Sequence, residues 1–141
     1  MSDLDRARQL LEQGGFTCVL CRGEAQRVSH KRGVAPMLEF LDAGEDLQGF
    51  SAADKVVGKA LALLFALAGV TQVYSPVMSE KAVEVLDHYG ILHHSGRLVP
   101  YIINRTQTGM CPMEQTVWDM DNPQAACDAI RRRLAQLTGA S

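Results

Sequence analysis

The chain has 141 residues, 47% of them hydrophobic and 21% charged, with a net charge of −2 at pH 7. One domain of this length buries enough surface for a self-supporting core. Its composition excludes a disordered, collagen-like or disulfide-built chain. The missing basic excess argues against nucleic acid as a partner.

Residues 2–13 predict a helix: Ser2 caps it with Asp5 three residues on, and Leu4, Ala7, Leu10 and Leu11 make its apolar stripe. The charged first dozen residues do not resemble a signal peptide. The most apolar run, 60–68, is far below the ~20 residues needed to cross a bilayer. The expectation is a cytoplasmic protein with reduced cysteines and no membrane partner. Residues 16–21 and 25–29 predict a hairpin around Arg22-Gly23-Glu24. Cys18 and Cys21 have C-x-x-C spacing, but in a strand residues three apart face opposite ways, so packing is preferred over metal binding. His30-Lys31-Arg32 reads as solvated charge, and Pro36 opens a short helix to Leu41.

Residues 51–68 predict the strongest helix. Ser51 is its N-cap, and beyond Lys59 it is apolar on all sides, as a central helix would be. A strand at 71–74 and a helix from Ser75-Pro76 to about Tyr89 follow. Residues 91–93 and 98–103 predict two short strands around a Ser95-Gly96 turn, antiparallel if they share a sheet. His93 and His94, adjacent in a strand, point apart and do not chelate together. A polar loop, 104–109, leads to Cys111-Pro112. The last helix starts near Pro123, with Cys127, Ile130, Leu134 and Leu137 as its buried stripe and Arg131-Arg132-Arg133 as solvated charge. Cys18, Cys21 and Cys127 are expected to be core thiols. This order of elements suggests one mixed sheet with helices on both faces.

Val99-Pro100-Tyr101-Ile102-Ile103-Asn104-Arg105-Thr106, then Thr108-Gly109-Met110-Cys111-Pro112-Met113-Glu114, together with Ala53-Asp54-Lys55-Val56-Val57-Gly58-Lys59-Ala60, resembles a prokaryotic domain-of-unknown-function family with a cytidine-deaminase-like fold. The resemblance covers about residues 10–117. It implies a single α/β domain over 1–141, three layers α/β/α around a mixed five-stranded sheet, with a C-terminal helix over about 123–137. Zinc deaminases hold their metal with a His or Cys in one motif and two Cys in another, beside a proton-shuttling Glu. The resemblance places Ala53, Val77 and Glu80 at the ligand positions and Lys55 at the acid's. Only Glu80 has a donor atom, which implies no metal, no cofactor and no zinc-dependent deamination.

The candidate site residues each carry two readings. Asp54 is a functional carboxylate or the N3 partner of a Ser51 capping box. Lys55 and Lys59, four apart on one helix, form an anion site at its N-terminus, or Lys55 is simply exposed and Lys59 snorkels out. Asn104, Arg105, Thr106, Thr108 and Gly109 follow a strand end and hold a phosphate, ribose or carboxylate, or else form a loop closed on itself. Cys111 is an activated thiol or a buried one, and Glu114 reads as a cap of its own helix. Asp54, Lys55 and Cys111 are the candidate reactive groups. The functional expectation is a metal-free protein binding a nucleotide-derived or phosphorylated small molecule. The alternative is a regulatory or interaction module without catalysis. A homo-oligomer is compatible with both.

Overall fold

A computed structural model describes residues 1–104 and 106–138. Helix α1 (Asp3–Gly14) is closed by the Ser2–Asp5 capping box and ends at Gly15 in the left-handed region. Strands β1 (Cys18–Arg22) and β2 (Ala25–Ser29) form the hairpin, and α2 (Ala35–Asp42) begins around Pro36.

The segment predicted as a helix from Ser51 departs from expectation. Ser51–Asp54 is strand β3, Val56–Val57 is strand β4, and helix α3 (Lys59–Ala68) starts only after Gly58. Alanine favours helix, but β3 pairs antiparallel with β1 and parallel with strand β5 (Gln72–Ser79), and that pairing overrides local propensity. Ala52 packs into the core on one face of the sheet and Ala53 into the core on the other. Ser51 is therefore no N-cap, and the capping-box reading of Asp54 falls with it.

The second departure follows from the first. β5 continues through Pro76, so helix α4 (Glu80–His88) begins at Glu80 under a Ser79 cap rather than at Ser75-Pro76. Strand β6 (Leu92–Val99) is one continuous strand parallel to β5, not two antiparallel ones around a turn. Proline in a central strand requires an interruption in the ladder, and the sheet supplies one. Ala53 pairs with Tyr74 and Val56 with Val77, leaving Asp54 and Lys55 level with Ser75 and Pro76. On the other edge, pairing with β6 skips Pro76 and Gly96. A Cβ on Gly96 would lie 2.8 Å from the Pro76 carbonyl oxygen, so glycine there serves close approach rather than a turn.

The sheet has six strands in the order β2-β1-β3-β5-β4, with β6 also on β5. Because β6 occupies one whole edge of β5, β3 and β4 lie end to end along the other. The result is five rows, one of them broken at Lys55. One face carries α1, where Leu4, Ala7 and Leu11 pack on Val19, Cys21, Ala53 and Tyr74. The other carries α3, surrounded by α2, α4, α5 (Pro112–Val117) and α6 (Pro123–Thr138). Every residue from Lys59 to Phe65 is buried, consistent with a helix apolar on all sides. Cys18 and Cys21 fall in the two separate cores, and Cys127 is on the buried face of α6. Leu137, assigned to the buried stripe, is half exposed.

Candidate functional site

The break in the sheet opens a cavity of about 440 Å3 beside the N-terminus of α3. Its walls include Val34, Val56, Leu61, Ile102, Ile103 and Met113, with Asp54, Glu114 and Cys111 among them. The exposed residues Arg32 and Lys55 also line it. The volume is in the usual range for small-molecule sites, and a mainly apolar wall with a few polar groups is their usual composition.

Asp54 is 5% exposed at the end of β3. Burial raises its pKa from 3.8 to about 8, against the opposing pull of hydrogen bonds from the Val56 and Lys55 amides and the Cys18 thiol. The Val56 N–H donates to its Oδ1 at 3.3 Å. At neutral pH Asp54 is therefore largely a protonated, hydrogen-bond-donating acid. Burial and the neighbouring Asp54 push the Cys18 thiol well up, so that group is an inert core thiol.

Glu114 caps α3, not its own helix. The Gly58 N-cap has no side chain to offer, and Oε1 of Glu114 accepts the Ala60 N–H at 3.0 Å from across the fold. A Cβ on Gly58 would fall 2.3 Å from that oxygen and 2.8 Å from Ile102 Cγ1, so only glycine fits. Burial raises the Glu114 pKa, while the Ala60 and Lys59 amides and the Lys59 charge draw it back. Its second oxygen, Oε2, is buried with no partner among the described residues.

The other candidates divide. Lys55 sits in the bend between β3 and β4, its N–H donating to the Thr17 carbonyl at 3.2 Å, and the residue lines the cavity. Lys59 does not join it: the two do not share a helix. Lys59, 4% exposed, donates to the Trp118 carbonyl at 2.8 Å and lies 3.7 Å from Asp121, outside the cavity walls. Cys111 is half-buried at the start of α5 and lines the cavity.

Asn104, Thr106, Thr108 and Gly109 do not line the cavity. Asn104 Oδ1 accepts from the Thr108 N–H and the Thr106 hydroxyl, its Nδ2 donates to Thr108 Oγ1, and its N–H donates to the Gly109 carbonyl. The Asn104, Thr106 and Thr108 side chains thus spend their polar groups on one another. Arg105 lies outside the described residues.

The positions implied for zinc do not converge on a helix start either, since Ala53 and Val77 are both within strands. Among the described residues no three His, Cys, Asp or Glu side chains gather as metal ligands. Among the described residues no helix is long and apolar enough to cross a membrane. His93 bonds Asp87 on α4 at 2.7 Å, while His94 lies near α1 on the other face. Arg131 pairs with Asp42 at 2.6 Å.

Residues 6–134 match the family described as TM1506, a domain of unknown function (DUF1893). The chain belongs to the DUF1893 family. A crystal structure of the DUF1893 protein TM1506 from Thermotoga maritima superimposes with a TM-score of 0.82 at 26% identity, covering 96% of this chain and 91% of that one. No curated protein matches. The DUF1893 domain thus accounts for α1 through most of α6, and the cavity lies wholly within it.

The sequence does not mark Arg32 or Gly58 as site residues, and it marks Glu114 only as a cap of its own helix. Arg32 looked like one of three solvated charges. Glu114 looked like a local cap, because its partner Ala60 is 54 positions away. One signal was available: two β-branched valines followed by glycine, Val56-Val57-Gly58, suit a strand and a helix start better than a helix interior.

Proposed function

We propose that this cavity binds a nucleotide-derived or other phosphorylated small molecule, in a cytidine-deaminase-like domain that works without bound zinc. The observation that carries this is the polarity of one cavity: two buried carboxyl groups in an apolar wall, with two exposed cations, Arg32 and Lys55, beside them. An apolar slot suits a flat ring, and fixed polar groups in its wall set the ring's orientation. Arg32 offers a planar fork and Lys55 a point charge, the two usual ways of holding a phosphate. Asp54 supplies a neutral acid, able to donate a hydrogen bond or exchange a proton near neutral pH. Cys111 is the one thiol in the wall.

Thermal-shift measurements with nucleosides, their monophosphates, sugar phosphates and inorganic phosphate test the proposal. Monophosphates are expected to raise the Tm more than the matching nucleosides, and Arg32→Ala and Lys55→Ala each to shrink that difference. Failure of every one of these compounds to stabilise the wild type overturns it. An interaction module is the second reading, favoured by one observation: Leu92 and Leu98 on edge strand β6 are 65% and 52% exposed.

A further inference from the structure

Glu114 holds two positions at once. Oε1 is committed to the first turn of α3, and the carboxyl is pressed against Gly58 so closely that no Cβ fits between them. Oε2 is buried without a partner among the described residues, on a residue only 2% exposed that lines the cavity. Leaving a buried acceptor unmet is costly, and more so for a charged group. Arg131 Nε is likewise buried and unpaired, but its guanidinium already serves Asp42 and Asp128. Glu114 differs in having a cavity beside it.

Resting on the small-molecule reading above, we infer that Glu114 is a specificity-determining residue whose free oxygen accepts an N–H from the inner end of the ligand, selecting heterocycles that carry an amino group. In its ionised form, which the α3 amides and the Lys59 charge favour against burial, the Glu114 carboxyl only accepts hydrogen bonds, so the complementary atom is a donor. The bond is charge-assisted, and so stronger than a neutral one. With Oε1 held on the Ala60 amide the carboxyl plane is set, and a ligand has to bring its N–H to Oε2 from the cavity that Glu114 lines. The same bond to α3 fixes the acceptor, because the carboxyl cannot swing away without uncapping the helix. Arg32 and Lys55 are then left for an anionic group at the exposed end of the same ligand.

The test varies the ligand before the protein. Adenosine and cytidine monophosphates are compared by calorimetry with their N-monomethyl and N,N-dimethyl forms, methylated on the exocyclic amine. The monomethyl forms keep one N–H and are expected to bind within a few-fold of the parents. The dimethyl forms have none and are expected to bind at least about ten-fold more weakly. In Glu114→Gln, whose amide can keep its oxygen on Ala60 and turn an NH2 toward the ligand, the gap between monomethyl and dimethyl forms is expected to close. Should that variant fail to fold, the methyl series in the wild type decides alone. Parents that bind with a dimethyl form as tight as the monomethyl form, or an equal loss for both, overturn the role of Glu114 and leave the small-molecule reading standing. No binding by any parent monophosphate overturns this inference and removes its ligand class from that reading as well.

Discussion

The loop 104–109 and the α3 N-terminus are both polar, and they spend their polarity in opposite ways. The side chains of Asn104, Thr106 and Thr108 bond one another and lie outside the cavity. The α3 end holds two carboxyl groups inside an apolar wall, one kept protonated by burial and the other with an unpaired oxygen. A dense run of donors in a sequence therefore marks a site less reliably than a few buried groups whose needs the fold leaves unmet.

The largest effect expected from this contrast is on pH-dependent stability. Between pH 3.8 and about 8 native Asp54 keeps a proton that the unfolded chain has released. The native state then binds more protons than the unfolded one, so stability falls as pH rises through that window and levels off above it. A shift of this size corresponds to a loss on the order of 5 kcal/mol. Glu114, also raised by burial, acts in the same direction. Urea denaturation from pH 5 to 9 should show this decline in the wild type and a flatter profile in Asp54→Asn. Parallel profiles would remove Asp54 as its source.

The next effect probes the contact that shapes the cavity. Gly58→Ala sets a methyl group against Glu114 and Ile102, with overpacking of about 1–3 kcal/mol. Displacing Glu114 from α3 adds about 1 kcal/mol for the lost cap. Glu114→Ala should relieve part of the clash, so a double-mutant cycle measures the coupling. Additive effects would mean that the two residues do not meet as described.

The smallest effect sharpens the comparison directly. Asn104→Ala removes bonds within an exposed loop and is expected to cost under about 1 kcal/mol of stability, with monophosphate affinity unchanged within two-fold. Lys55→Ala is expected to weaken the same probe about five-fold, near 1 kcal/mol. Titrations that rank the two variants the other way would return the binding role to the loop.

What local sequence determined was every element whose signals act within a few residues. The capping box and Gly15 bound α1, Pro36 starts α2, and the all-round apolarity after Lys59 marks a central helix. The opposite facing of Cys18 and Cys21 follows from strand period alone. Tertiary structure decided the rest. Ser51–Asp54 is a strand because β1 and β5 flank it, and Pro76 stays in β5 because the ladder breaks at its level on both sides. Asp54 is protonated and Glu114 caps a helix 54 residues away because folding buries them together in one wall. Strand pairing, desolvation and long-range capping all depend on residues distant in the chain, so no local pattern in the sequence records them.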